Sequence, residues 1–206
     1  MKKIFTIALA SCLFAWTFAF EGIIEQTYTN PETQAQMTFK WYISGEDVRL
    51  DMLSGEESMT IIPDFEALQL VLFGNKADAN GDHWYSKTPL NDVVVNAPSV
   101  RLLEKTDSKF NGEPAKEAKV MTDKGLMVVQ YIDMPLNMKN MITFFAESVE
   151  FKAVSLAEDR GFPVSSVLMT SKDAIYTLQT KSVKEQSLDA KWFNVPSNYK
   201  LFTGIK

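Results

Sequence analysis

The chain contains one histidine, and the residues around it decide whether a hydrolytic site is expected. His83 follows Asp82 and precedes Ser86, so the residue types of a nucleophile, base and acid triad lie close together in sequence. Successive side chains of a strand point to opposite faces, however, which separates Asp82 from His83. No nucleophile elbow, HExxH motif or glycine-rich phosphate loop occurs elsewhere. We therefore expect no catalytic residues and no enzymatic activity.

An acidic loop, Asp78-Ala79-Asn80-Gly81-Asp82, resembles the first half of a calcium-binding loop. An EF-hand loop needs glycine at its sixth position and a bidentate glutamate at its twelfth. Those positions hold His83 and Pro89 in this chain. Asp, Asn and Gly are also the residues that tight turns prefer. The sequence therefore predicts a turn here, with no metal site and no cofactor.

The charge and the cysteine content exclude two further possibilities. The formal net charge is -5, and the basic residues are scattered among acidic ones. Such a surface repels phosphate backbones, so we expect no nucleic-acid partner. Cys12 is the only cysteine, so no disulfide within the chain can stabilise the fold, and a hydrophobic core has to do so.

Residues 1–19 have the form of an export signal. Two lysines precede an apolar run over residues 4–16, and Thr17 and Ala19 supply the small residues of a cleavage site. The sequence predicts cleavage before Phe20, one domain over residues 20–206, and a periplasmic or secreted location.

Two other interpretations of this segment remain open. A transmembrane anchor would need about 20 apolar residues, which is longer than this run, so we expect no transmembrane anchor in the mature chain. Leu9-Ala10-Ser11-Cys12 has the form of a lipoprotein cleavage site, which would leave a lipid on Cys12. The short apolar stretch before Cys12 and the apolar residues after it disfavour that interpretation.

The dominant sequence period in the rest of the chain is two. Met37, Phe39, Trp41 and Ile43 alternate with more polar residues, which is typical of a strand with one apolar face. Gly45 and Glu46 follow, and Val48, Leu50 and Met52 then continue the alternation, which predicts a hairpin. Further strands are predicted at residues 22–29, 58–63, 68–73, 83–86, 118–122, 126–132, 164–170 and 174–183. Many short strands without a βαβ rhythm predict an antiparallel sheet.

One segment departs from this period. Between Pro135 and Phe151 apolar residues recur at helical spacing, namely Met138, Met141, Ile142, Phe145 and Val149. The pattern predicts a helix over residues 137–150 whose apolar stripe rests on another apolar surface. A second, shorter helix over residues 90–103 remains open, although three consecutive valines and Pro98 oppose it.

Two local predictions concern the hairpin and the C-terminus. Arg49 is expected to form a cross-strand ion pair. Trp192, Phe193 and Tyr199 are expected to close one end of the sheet by packing apolar area, in a segment too short to form a strand.

Four motifs carry a family resemblance. They are FEGIIEQTY at the start of the mature chain, WYISGEDVRLDM, MTIIPD, and LDAKWFNVPSNYKLF near the end. They resemble an exported bacterial family catalogued as domain of unknown function 4412, whose fold is similar to that of the LolA and LppX lipoprotein carriers. The resemblance implies an α+β, mostly β fold: a strongly curved antiparallel sheet, or incomplete barrel, wrapped round one or two helices.

A curved sheet has a concave apolar face, which suggests a ligand cavity under the helix. The residues expected to line such a cavity are Phe39, Trp41, Val48, Leu50, Met138, Met141, Ile142 and Phe145. The predicted function is a binding or carrier protein for an acyl chain, a lipid or another apolar small molecule. The alternative is a non-enzymatic interaction or structural module of the cell envelope, with a fully packed core and an envelope protein as partner.

Overall fold

A computed structural model describes residues 20–89, 99–134, 145, 148–157, 160–170 and 174–203, with the backbone alone for 174 and 175. The predicted export signal, most of the predicted helix over residues 137–150, and residues 90–98 of the second possible helix lie outside the described residues. No helix within the described ranges has the length and apolar character needed to cross a membrane.

In the described part of the chain, twelve strands form one large curved sheet. In chain order they are β1 (Glu21–Thr29), β2 (Gln36–Ser44), β3 (Asp47–Ser54), β4 (Glu57–Asp64), β5 (Gln69–Gly74), β6 (His83–Pro89), β7 (Val100–Phe110), β8 (Glu113–Thr122), β9 (Leu126–Asp133), β10 (Gly161–Met169), β11 (Ala174–Glu185) and β12 (Tyr199–Leu201). Their order across the sheet is β12-β6-β5-β4-β3-β2-β1-β11-β10-β9-β8-β7. The two outermost strands, β12 and β7, do not pair with each other, so the sheet is unclosed. The prediction of a mostly β, curved antiparallel sheet is confirmed at this level.

The predicted hairpin is present as β2 and β3. Trp41 lies opposite Leu50, and Ile43 lies opposite Val48, so the apolar residues of both strands share one face, which is the concave one. Gly45 in the connecting turn has a φ of 61°, a left-handed conformation that glycine adopts without steric cost.

Two register shifts occur in strands that line the concave face. The pairing of β1 with β11 shifts between Glu25 and Gln26, and the pairing of β10 with β9 shifts between Pro163 and Ser165. A bulge bends its strand and redirects the adjacent side chain, and proline is tolerated there because it cannot donate to the ladder. Both shifts lie next to the centre of the concave face.

The possible helix over residues 90–103 is wrong for its described part. Residues 100–103 belong to β7, where partly buried Val100 and Leu102 alternate with exposed Arg101. Alternation and a β-branched residue favour a strand on a half-buried surface.

The single described α-helix, α1 (Val149–Leu156), overlaps the predicted helix only at its end. Ser148 has extended backbone angles, and its side chain accepts a hydrogen bond from the Phe151 amide as an N-cap. Continuous helix through Ser148 is therefore wrong, because serine there satisfies a free amide of a new helix. α1 packs on β7 to β10 through buried Ala153 and Val154.

The C-terminal segment crosses the convex face of the sheet. A short 3-10 helix (Ala190–Phe193) places Trp192 in a stack on Tyr42, with ring centroids 5.0 Å apart. β12 then pairs in parallel with β6, and the Phe202 amide donates to the Tyr85 carbonyl at 2.7 Å. The prediction that this segment is too short to form a strand is wrong, because the open edge of β6 supplies a ready partner for three residues.

Arg49 holds the C-terminal segment against the sheet. Its guanidinium binds Asp51, two residues along the same strand, with Nε–Oδ1 at 2.7 Å and Nη2–Oδ2 at 2.9 Å. The predicted cross-strand pair is therefore wrong, because residues i and i+2 of a strand share a face. Arg49 also donates to the Trp192 carbonyl at 3.1 Å and lies over the ring of Trp192 at 5.6 Å.

Candidate ligand cavity on the concave face

A cavity of about 160 Å³ lies between the concave face and the start of α1. Almost all of its wall is apolar. The residues that line it are Gln26, Tyr28, Phe39, Trp41, Leu50, Met52, Ser148, Glu150, Phe151, Pro163 and Leu178. They come from β1, β2, β3, β10 and β11 and from the first turn of α1, so the curvature of the sheet and the position of the helix together create the space.

Aromatic rings form the deepest wall. Trp41 is 5% exposed, and its ring meets Phe151 and Phe162 edge to face at 5.6 and 5.5 Å. Phe145 meets the other side of Trp41 at 4.8 Å. Edge-to-face pairs at this spacing are favourable beyond the area they bury, so Trp41 is held in one orientation.

A buried amide fixes the polar edge of Trp41. Gln26 is 2% exposed, and its Oε1 accepts a hydrogen bond from Trp41 Nε1 at 2.9 Å. Its Nε2 donates to the Pro163 carbonyl at 2.7 Å and to Thr180 Oγ1 at 3.1 Å. Buried polar groups are costly unless paired, and here both ends of the amide have partners. The polar atoms of Gln26 and Trp41 are therefore not left for a ligand.

A carboxylate lies in the first turn of α1. Glu150 Oε1 accepts from Ser166 Oγ at 3.0 Å and from the Tyr176 hydroxyl at 3.4 Å, and Oε2 accepts from Ser148 Oγ at 3.0 Å. No ion pair between described residues involves Glu150. A carboxylate in the first turn interacts favourably with the helix dipole, which accounts for part of its stabilisation.

The charge of Glu150 acts on two neighbouring tyrosines. Burial, and secondly the Glu150 carboxylate, raise the pKa of Tyr176. The same two causes raise the pKa of Tyr28, which lines the cavity and lies 5.1 Å from Tyr176 between ring centroids. Both phenols are thus held in the neutral form.

The structure brings together part of the predicted site. Phe39, Trp41 and Leu50 line the cavity. Phe145 is in contact with Trp41 but is not among the lining residues. Val48 is 4% exposed in the same core cluster and borders a different cleft. The predicted cavity residues Met138, Met141 and Ile142 lie outside the described residues.

Several lining residues were not predicted. Tyr28 and Met52 continue the alternation of strands that were predicted, so the signal for them was present in the sequence. Gln26 shares the inward face with Ile24 and Tyr28, but a polar residue does not register in an apolar pattern. Glu150 is a polar residue and so does not register in the apolar stripe of the predicted helix, and its role depends on Ser166 and Tyr176, which only the fold brings near.

A larger cleft lies on the opposite side of the sheet. It encloses about 550 Å³ between β4 to β6 and the C-terminal segment, and Glu46, Asp47, Asp64, Glu66 and Lys87 border it. Hydrogen bonds from the Ala67 amide and the Gln69 side chain lower the pKa of Asp64. This cleft is larger and its wall is of mixed polarity, whereas the wall of the concave cavity is almost wholly apolar.

His83 is not assembled into a triad. Its ring stacks on Tyr199 at 5.0 Å, and its buried Nδ1 has no hydrogen-bond partner among the described residues. Asp82 instead pairs with Lys200 at 2.6 Å. No serine hydroxyl is within hydrogen-bonding distance of the ring nitrogens in the described part of the chain.

The acidic loop folds as a turn around Asp78. Its Oδ1 accepts from the amides of Asn80 and Asp82, and its Oδ2 accepts from Trp84 Nε1 at 2.9 Å. These hydrogen bonds, that from Trp84 first, lower the pKa of Asp78. Within the described ranges, no three His, Cys, Asp or Glu side chains are grouped as metal ligands.

Comparison with known proteins yields structural likeness only. No family model and no curated protein matches the sequence. An uncharacterised conserved protein from Thermus thermophilus is similar in structure, with a TM-score of 0.48 and 11% identity over 88% of this chain and 90% of that one. PNGF-II is similar with a TM-score of 0.50 and 10% identity, over 89% of this chain and 31% of its own length. At such identity the likeness to PNGF-II concerns the fold alone, and the family resemblance of the sequence motifs stays a prediction.

Proposed function

We propose that this protein is an exported, non-enzymatic binding protein that holds an apolar ligand between its curved sheet and α1. The observation that carries the proposal is the cavity of about 160 Å³ whose wall is almost wholly apolar. An engineered apolar cavity of about 150 Å³ in another protein stays dry and binds benzene. The resemblance to a LolA-like family of exported proteins supports the same function.

The cavity volume limits the ligand. A group of about the size of a benzene ring fills the space between Trp41, Leu50 and Phe151, whereas a whole acyl chain exceeds it. The ligand is therefore either a small apolar molecule or a longer one that inserts only its end. Entry past Tyr28 and Met52, which are only partly buried, leaves the rest of a longer ligand outside.

The test is native mass spectrometry of the freshly purified protein, combined with Leu50→Phe. A larger side chain at this buried lining position fills the cavity, so we expect a co-purified ligand in the parent and none in the variant. Leu201→Phe, at a residue that is 43% exposed, is the matched control and should retain the ligand. Parent protein without any bound species, and without affinity for added apolar probes, would contradict the proposal.

A second candidate function is an interaction module of the cell envelope. Met59, Trp84 and Phe202 are 42%, 37% and 52% exposed and border one apolar groove near the β6 edge. Exposed apolar patches often mark protein interaction sites. This function becomes the better account if the cavity proves to be filled and the purified protein carries no ligand.

A further inference from the structure

We propose that the concave cavity binds a quaternary ammonium group, that is, a cation with an apolar surface and no N–H donors. The inference rests on the proposed binding function and names the class of its ligand. It follows from three properties of the described cavity wall: Gln26 and Glu150 are hydrogen-bonded within the protein, aromatic rings border the space, and the Glu150 carboxylate has no cationic partner among the described residues.

Almost none of the described wall surface that faces the cavity is polar, so this wall offers little hydrogen bonding to a donor-bearing ligand. The Gln26 carbonyl oxygen is occupied by Trp41 Nε1, and the Gln26 amide nitrogen is occupied by Pro163 and Thr180. The Glu150 oxygens are occupied by three hydroxyl groups. A primary ammonium group buried in the cavity would lose its hydrogen bonds to water without replacing them. A trimethylammonium group makes no such bonds and is about as large as benzene, which a cavity of this size accommodates.

Four aromatic residues surround the space. Tyr28, Phe39, Trp41 and Phe151 all line the cavity, and the rings of Tyr28 and Phe39 are tilted at 51° with centroids 6.4 Å apart. The face of an aromatic ring attracts cations, and aromatic cages are the usual means by which proteins bind quaternary ammonium groups.

The Glu150 carboxylate gives the cavity a negative electrostatic potential, which favours a cationic ligand. Glu150 lines the cavity, and no cation among the described residues pairs with it. The start of α1 offsets about half a charge at most. The pKa of Tyr28 is raised in part by Glu150, so its negative charge is felt at a residue of the cavity wall. A fatty-acid carboxylate would be repelled there, and a cation attracted.

The experiment compares two ligands of the same shape in isothermal titration calorimetry. Choline carries the trimethylammonium group, and its neutral analogue has a tert-butyl group in which carbon replaces nitrogen. We expect choline to bind the parent at least about tenfold more tightly, because the cation–π and charge interactions add to an equal apolar contact. In Glu150→Gln this preference should fall by about tenfold. Glu57→Gln removes the same charge at an exposed position of β4 and should leave the preference unchanged.

A second variant keeps the test independent of the hydrogen bonds of Glu150. Tyr28→Leu removes a ring at a partly buried position and leaves an apolar side chain there, so it should weaken the binding of choline more than that of the neutral analogue. Circular dichroism of each variant confirms that it is folded.

The outcomes separate this inference from the proposed function. Equal or tighter binding of the neutral analogue overturns the quaternary ammonium inference and leaves the apolar binding function in place. Binding of neither ligand, with no other apolar probe bound, overturns both.

A vesicle-binding measurement shows whether the quaternary ammonium group belongs to a lipid headgroup or to a soluble molecule. Preferential binding to phosphatidylcholine over phosphatidylglycerol vesicles, lost in Glu150→Gln, assigns the group to a lipid headgroup. Binding of free choline without vesicle binding assigns it to a soluble quaternary amine. Absence of both overturns the inference.

Discussion

Gln26 and Glu150 are the two polar residues on which the cavity depends. Gln26 holds the indole of Trp41 in the wall and connects β1 to β10 and β11. Glu150 connects the first turn of α1 to Ser166 on β10 and Tyr176 on β11. Gln26 therefore holds three strands together, and Glu150 holds α1 against two strands. The cavity is the space between these two sets of hydrogen bonds.

Gln26→Met tests the first of these connections. The substitution keeps the length of the side chain but leaves the Trp41 Nε1–H and the Pro163 carbonyl unpaired, so we expect a loss of about 2 to 4 kcal/mol in the free energy of unfolding. Urea denaturation measures it, with Gln36→Met at an exposed residue of β2 as the control. A change in the midpoint no larger than that of the control would show that water replaces these hydrogen bonds.

Tyr176 is expected to make the protein less stable as the pH becomes strongly alkaline. Its pKa is raised above the ordinary 10.0, first by burial and then by Glu150. A raised pKa means that the native state favours the neutral phenol, so the contribution is complete below pH 10.0 and is lost as the pH rises above it. Tyr176→Phe should therefore reduce the decline in melting temperature above that pH. Tyr28 and Tyr42, whose pKa values are also raised, keep part of the decline in the variant. Identical pH profiles for parent and variant would contradict the assignment.

At the scale of elements, most strands were predictable, whereas β7, β12 and the helix boundary were not. Period-two alternation predicted β1 to β5 within a residue or two, because each has one face against the core. The helical spacing that ends at Phe151 does not reveal that Ser148 caps a new helix, since an apolar stripe is insensitive to one serine. β12 was not predicted because a three-residue parallel strand forms only where the edge of β6 is available to pair with it. The local sequence carries no signal for that edge.

Arg49→Lys tests how the C-terminal segment is held. Lysine retains the charge but cannot form the two-pronged contact with Asp51 and the hydrogen bond to the Trp192 carbonyl together. We expect a loss of about 1 to 2 kcal/mol and faster protease cleavage within residues 186–203. Arg101→Lys on β7 is the matched control, because Arg101 is exposed. Limited proteolysis followed by intact-mass analysis gives the cleavage sites, and equal rates in both variants would show that Arg49 is not the fastening residue.

At the scale of the whole molecule, the cavity results from the curvature of the sheet. The register shifts at Gln26 and Pro163 bend the sheet, and α1 covers the strands from β7 to β10 while its first turn borders the space over β1 to β3. The sequence predicted an apolar concave face and three of the described lining residues. It did not predict the size of the cavity, since that depends on how far the bulges bend strands whose pairing partners lie elsewhere in the sequence.

The most direct test of this account is a crystal structure of the protein under xenon pressure, because xenon enters empty apolar cavities. The account predicts xenon between Trp41, Leu50 and Phe151 in the parent and none at that position in Leu50→Phe. A parent structure in which side chains fill this space and no xenon binds would contradict the existence of the cavity, and with it the binding function.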